Sequence, residues 1–414
     1  MSMLPAFASA QTDNAENDSD RYMRFCRPLT GAKLKAANLD KTYHRAKGDM
    51  LYFYDEYAQE VAVSDFVGGY GGALFGHNHP DLIRAGVETL RANAPFLAQG
   101  SCRAAAGRLA KTLDELLYAR TDFHYVTTLS SSGAEAVETA IKHCVLEFRQ
   151  RLESWAKRAR KQLTLSIGAL QNDSSDILTL AEQLGVTEAS VDSVAAQLEA
   201  HITNVASMSP VLLGVAGGFH GKTGSALQLT HNTQFRTPFT ELGPATRFLR
   251  FESDGVETQI EALNVAVPTL VVEGGQARLE PQSVSPVAGL FIEPVQGEGG
   301  VVELPAEFVR RCREQADRFR FPLVFDEIQS GMGRCGRFLA SEALGIAADY
   351  YLLGKSLGGG VAKIAACCIQ RGRYIEEFGM LHTSTFAEDD FSAKIAIEAL
   401  AIVRRENVPA RCAA

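Results

Sequence analysis

The sequence predicts an α/β protein with a largely parallel sheet covered by helices on both faces. Three observations carry this. Short apolar runs alternate with helical patterns from about residue 50 onward. Those runs carry few polar residues, as expected of strands buried on both faces. The chain has 414 residues, enough for one large α/β domain or for two domains.

The elements follow in chain order. The start, MSMLPAFASAQTDNAENDSD, holds an A-S-A that imitates a signal-peptidase site. It lacks a basic leader and its apolar core is very short, so residues 1–20 read as a disordered polar start. GHNHPDLIRAGVETLRAN (76–93) opens a helix with Pro80 in the first turn. FHYVTTLSSSGAEAVETAIKHCVLEF (123–148) reads as strand, tight turn and helix. From about 150 to 205 the chain is polar, with Ile177, Leu180 and Leu184, then Val191, Val194, Leu198 and Ile202, at helical spacing. This reads as a helical insertion on the surface. VLLGVAG (211–217), LVVEGG (270–275), GLFIEPV (289–295), FPLVFDE (321–327) and DYYLLGK (349–355) read as strands, as does the IAACCIQ run. In such sheets ligands bind beyond the carboxyl ends of the strands.

Composition narrows the function. Hydrophobic content is 46% and charged content 22%, ordinary for a globular enzyme. A net charge of −8 argues against a general binder of nucleic acid or acidic membrane. No apolar run approaches the roughly 20 residues of a membrane helix. The eight cysteines form neither a CxxC pair nor a disulfide pattern, so a reducing, cytoplasmic setting is expected.

LVFDEIQSGMGRCG (323–336) ends a buried strand in two carboxylates, Asp326 and Glu327. An unpaired charge there is costly, so a cationic partner is expected. Lys355 follows four large residues at another strand end, 29 positions after Asp326. It is either a buried amine or a surface charge. Burial would lower its pKa and make it a nucleophile toward carbonyl compounds. With Asp326 it could form a plain ion pair. Pyridoxal phosphate, however, needs both a lysine for its aldehyde and a carboxylate on its pyridinium nitrogen. The cationic partner would then be the cofactor ring. SSSGAEA (130–136) offers hydroxyls and a helix start, where an anion is favoured, or only a helix cap. FHGKTGSAL (219–227) offers an aromatic ring for stacking and a His that is otherwise structural.

Taken together these residues resemble the class III (subgroup II, ornithine-type) aminotransferases, pyridoxal-phosphate enzymes of fold type I. The matching pieces, in order, are GHNHP, SSGAEA, FHGKT, FIEPVQGEGG, LVFDEIQSGMGRCG, DYYLLGKSLGGG and HTSTF. The resemblance spans roughly residues 45 to 400. It implies that Lys355 carries the cofactor covalently and moves the substrate proton, and that Asp326 pairs with the ring nitrogen. Gln329 should lie near the ring hydroxyl. Ile328 and Phe219 should cover the two ring faces, with His220 beside Phe219. Ser132, Gly133 and Ala134 should hold the phosphate, and Thr385 should reach the phosphate of a partner subunit in a homodimer. Glu293 matches a glutamate near the cofactor, and Glu298 one that gates a substrate-binding arginine in some members.

By the same resemblance, residues 21–60 are the N-terminal part of a small domain and 61–390 the large cofactor-binding domain. Residues 391–414 begin a truncated C-terminal segment. The implied reaction moves an amino group from an amino-acid donor to an aldehyde or ketone. An aminomutase of the same family, or a catalytically impaired fragment serving as an assembly partner, are the alternatives. Three features depart from the family. Ser132 and His220 are 88 positions apart, a gap lengthened by the insertion. AEDD (387–390) replaces the family's Gly-Gly-Asn-Pro. The part that usually carries the carboxylate-binding arginine is missing, as in a fragment, a truncated product or one piece of a larger multidomain enzyme.

Overall fold

The computed structural model describes residues 17–170, 174–251, 255–274 and 276–414. The expected disordered start falls mostly on residues 1–16, outside the described residues; from Asp18 the chain is helical. The chain divides into two compact units, one of residues up to Tyr70 with Phe75–His79, the other of Gly71–Leu74 with Pro80–Ala414.

The first unit begins with helices Asp18–Phe25 and Pro28–Ala36. Pro28 occupies a first-turn position, where its missing N–H costs nothing. An antiparallel sheet follows, made of β1 (Arg45–Lys47), β2 (Met50–Tyr54) and β3 (Glu60–Ser64). The Asp55 carboxylate closes the β2–β3 turn by accepting from the N–H groups of Tyr57 and Gln59.

The second unit is built on a seven-stranded sheet. Its strands are β4 (Tyr125–Ser130), β5 (Val211–Val215), β6 (Ala245–Leu249), β9 (Val287–Ile292), β12 (Leu323–Asp326), β13 (Tyr350–Leu353) and β14 (Ala365–Gln370). Their spatial order is β4-β14-β13-β12-β9-β5-β6. Only β14 runs against the rest, and the short loop from β13 to β14 permits this reversal. Central strands are buried residue by residue, Leu323–Asp326 and Tyr350–Leu353 among them. That explains their unbroken apolar sequence. The Gly133–Ala169 helix lays Val137, Ala140, Ile141, Cys144 and Phe148 into one core with Val324, Leu352, Cys367 and Ile369. Helices Ala104–Thr121 and Ala306–Phe319 pack on β4 and β12. They bury Leu109, Leu113 and Leu117, and Phe308, Val309 and Cys312.

One strand reading is corrected. The 270–275 run does not join the main sheet. Its described residues lie in and just after β7 (Val265–Glu273), which pairs only with β8 (Gln276–Val284). Apolar runs of this length look alike in a central strand and in a hairpin. The hairpin packs instead on the inserted helices Ser174–Leu184 and Val191–Ala206. Leu180, Ala181, Val194, Leu198 and Leu270 form a separate small core there. Pro268 faces Pro281 across the ladder, so neither exposed edge carries an N–H at that level. The short strands β10 (Val295–Gln296) and β11 (Val302–Glu303) form a further pair.

Candidate active site

β12 and β13 run parallel and side by side, with Asp326 level with Leu352. Their carboxyl ends therefore deliver Asp326 and, three residues past Leu352, Lys355 to one place. Lys355 has φ 44, a left-handed conformation costing a non-glycine residue about 1–3 kcal/mol. Its Nζ donates to Gln329 Oε1. Burial lowers the amine's pKa below the ordinary lysine value, while Asp326 and Glu293 pull the other way. Lys355 is half-buried, between the two readings of the sequence.

Asp326 is buried, with His220 Nδ1 2.8 Å from its Oδ2 and Ile328 N donating to its Oδ1 at 3.1 Å. Within the chain the partner of Asp326 is thus an imidazole. Sequence reasoning had placed His220 only beside Phe219. Burial works against the His220 charge, but the hydrogen bond and charge of Asp326 outweigh it and raise the pKa. The adjacent Glu327 has a different task. It is fully buried and accepts from Ser330 Oγ at 2.6 Å, Ser341 N at 2.8 Å and Ala340 N at 3.1 Å. It ties down the loop beyond β12 and does not line the cavity. One carboxylate of the pair serves the fold and the other faces the site.

Glu293, just past β9, holds the opposite wall. Its Oε1 accepts from Phe219 N at 2.7 Å and its Oε2 from Gly297 N at 3.4 Å. Burial pushes its pKa up to about 7, against the opposing pull of His220. Phe219, Ile328, Gln329, Gly133, Ala134 and Lys355 line a cavity of about 330 Å³, together with His220, Asp326 and Glu293. Two glycines permit its shape. A Cβ on Gly133 would stand 2.9 Å from Ile328 Cγ2, and one on Gly297 2.4 Å from Gln329 Nε2.

Ser132 caps the Gly133–Ala169 helix. Its Oγ accepts from Glu135 N, while the Glu135 carboxylate takes the N–H groups of Ser131 and Ser132. Ser132 Oγ thus accepts in the cap, and the residue does not line the cavity. The N–H groups of Gly133 and Ala134 stand in the first turn, where no intrahelical acceptor exists. Thr385 is exposed and does not line the cavity; its carbonyl accepts from Gln99 Nε2 at 2.9 Å. Glu298 is exposed, yet close enough to Lys355 to favour its charged form. Sequence reasoning quoted FHGKT but gave Lys222 no part. The structure places Lys222 on the cavity wall, its Nζ 3.6 Å from the Phe235 ring centroid.

The donor set fits pyridoxal phosphate. A buried carboxylate suits a pyridinium nitrogen, and a desolvated amine suits an aldehyde. Ring-sized walls of Phe219 and Ile328 suit a planar heterocycle, and first-turn N–H groups suit a phosphate. The volume lies within the roughly 300–1,000 Å³ of small-molecule pockets.

Comparison with known proteins agrees. The fold is similar to that of an ornithine aminotransferase from Toxoplasma gondii, at 23% identity and a TM-score of 0.60, over 90% of this chain and 68% of that one. It is similar to an amine transaminase from an uncultivated Pseudomonas species in the PLP-bound form, at 22% identity and a TM-score of 0.61, over 91% and 73%. An omega transaminase from Pseudomonas jessenii in complex with PMP matches at 19% identity and a TM-score of 0.65, over 95% and 76%. Residues 33–414 match the family model "Aminotransferase class-III". The chain belongs to the class-III aminotransferases, which move amino groups with pyridoxal phosphate.

Proposed function

We propose that Lys355 and Asp326 are the catalytic pair of this transaminase and that the cavity between Phe219 and Ile328 receives the cofactor ring. The observation that carries this is the delivery of a desolvated amine and a buried carboxylate to one cavity by adjacent parallel strands. When bound, the cofactor supplies an electron-withdrawing ring beside the substrate carbon. The other roles belong to the chain. Asp326 keeps the ring nitrogen protonated, and Gln329 lies at the ring hydroxyl. Gly133 and Ala134 hold the phosphate, with Ser132 fixing the helix start. Glu293 pins Phe219 over the ring through its backbone N–H. Lys355 Nζ, whose pKa burial lowers, takes the proton from the donor's α-carbon and returns it later.

The test is to incubate the full chain with pyridoxal phosphate, reduce with borohydride and map the modified peptide. The expected label is on Lys355. A label confined to another lysine would overturn the assignment.

The reading assigns residues 21–60 to a small domain, 61–390 to the cofactor-binding domain and 391–414 to a C-terminal segment. It includes a homodimer in which Thr385 serves the second copy's site. Met380, Leu381 and Phe386, near Thr385 in sequence, are 89%, 61% and 59% exposed, as suits a surface a second copy would cover. Sedimentation should give a dimer, and a strictly monomeric holoenzyme would exclude it. The setting is the cytoplasm. All eight cysteines are free, which suits a reducing compartment. Among the described residues no helix is long and apolar enough to cross a membrane.

A further inference from the structure

The segment that leads to Thr385 is tied to the helix whose first turn lines the cavity. After β14 the chain forms a short helix, Phe378–Leu381, and then reaches His382. His382 uses both ring nitrogens on the Gly133–Ala169 helix. Its Nε2 lies 3.0 Å from Thr139 Oγ1 and its Nδ1 3.1 Å from Lys142 Nζ. Lys142 Nζ also donates to Leu381 O at 3.3 Å. An ammonium has no lone pair, so Nδ1 accepts and carries no hydrogen. The ring hydrogen is then on Nε2 and goes to Thr139 Oγ1, which spends its own hydrogen on Glu135 O at 2.8 Å. The ring is thereby fixed as neutral and in one tautomer. It stacks on buried Phe378, with centroids 5.4 Å apart and planes 10° apart. Further along, Gln99 Nε2 donates to Thr385 O at 2.9 Å, Arg103 Nη1 donates to Glu388 O at 3.2 Å, and Asp389 caps the next helix. Of these anchors only His382 can change charge near neutral pH.

We propose that His382 is a positioning residue for Thr385: its neutral ring latches the Thr385 loop to Thr139 and Lys142, and a proton on Nδ1 releases it. The consequence for the cofactor rests on the reading that Thr385 reaches the phosphate of the second copy. Protonation turns the Nδ1 acceptor into a donor. That donor would face the Lys142 ammonium, setting two donors and two positive charges against each other. The charged groups acting on the ring are Lys142 and Glu135, both from the Gly133–Ala169 helix, while Phe378 on the other side is uncharged. Burial and Lys142 hold the His382 pKa below the ordinary histidine value, against the pull of Glu135. The released ring titrates near the ordinary value, about 6.5. The latch is therefore present in full above that pH and is lost as pH falls through the depressed value. The first turn of the same helix lines this copy's cavity with Gly133 and Ala134. One helix thus carries a phosphate site for its own copy and sets the Thr385 loop for the other.

The test uses the full chain with ¹⁵N-labelled histidine, the His382 signal being assigned by its loss in His382→Gln. At neutral pH the wild-type ring should carry hydrogen on Nε2 and none on Nδ1. Hydrogen exchange is then followed at the amides of 383–388 on the bare chain, corrected for its intrinsic pH dependence. As pH falls through the His382 midpoint, exchange there should speed up by about tenfold, the effect of one lost hydrogen bond. His382→Gln can still donate to Thr139 and does not titrate, so it should keep the loop protected and remove the acid-driven rise. His382→Ala should lose protection at every pH. An Nδ1 protonated at neutral pH in the wild type overturns the proposal, whatever the variants do. So does protection that survives in His382→Ala, or an acid-driven rise that persists in His382→Gln. Dissociation constants for pyridoxal phosphate over the same pH range test the reading of Thr385 separately. Binding that weakens in step with loop release, and does not in His382→Gln, supports both. A loop that opens while affinity stays equal to that of His382→Gln upholds the latch and defeats that reading of Thr385.

Discussion

Lys355→Ala should slow the amino-donor half-reaction by on the order of ten-thousandfold, the upper range for loss of a positioned acid–base group. The amine has two tasks, covalent attachment and proton transfer, and alanine performs neither. The wild-type amine is suited to proton transfer because burial lowers its pKa, so a larger share is neutral near pH 7 than in an exposed lysine. The sign follows. In the wild type the half-reaction rate should rise with pH through the depressed Lys355 pKa and then level off. In the alanine variant this limb should vanish. The fold should survive, since the Lys355 side chain is hydrogen-bonded to Gln329 and the residue only opens the short 3₁₀ helix Lys355–Gly358 beyond β13. Donor half-reactions followed by absorbance, with melting curves as a control, check both points. A folded variant with near-normal turnover would remove Lys355 from the mechanism.

How much of this was legible in the sequence depends on the kind of information each feature carries. The central strands were legible because burial on both faces imposes unbroken apolar runs, as at Leu323–Phe325 and Tyr350–Leu353. The gathering of Asp326 and Lys355 was legible because one crossover between parallel strands returns the chain to the same sheet edge. The β7–β8 hairpin was not. Its alternation is weak, and what distinguishes it is pairing with β8 and packing on the inserted helices, both non-local. Residue types alone did not separate Asp326 from Glu327; the family resemblance singled out Asp326. Adjacent strand residues point to opposite faces, but which face holds the site depends on where Ala340, Ser341 and His220 arrive from distant segments. The link from Glu293 to the backbone of Phe219 was hidden for the same reason. It spans 74 positions and involves a main-chain N–H that no residue type announces.

Asp326→Asn should cost at least about 100-fold in the same half-reaction, equivalent to roughly 2.7 kcal/mol of barrier. The substitution keeps the side chain's shape and removes its charge. The Asn oxygen can still accept from Ile328 N, as Oδ1 does now. The amide nitrogen then faces His220 Nδ1, where a carboxylate oxygen had been. Two donors cannot share that contact, so the imidazole must present its Nδ1 lone pair and carry its hydrogen on Nε2. His220 Nε2 makes no hydrogen bond in the wild type either, so this shift leaves no additional polar atom unmet. Stability should therefore fall little, while the negative charge at the ring nitrogen is lost altogether. The loss should appear in the rate constant of the proton-transfer step rather than in donor affinity, since Asp326 acts through the ring and not on the donor. Single-turnover measurements over a range of donor concentrations separate the two. A variant with wild-type rate at saturating donor would show that the ring nitrogen needs no carboxylate here, and Asp326 would then serve only to hold His220.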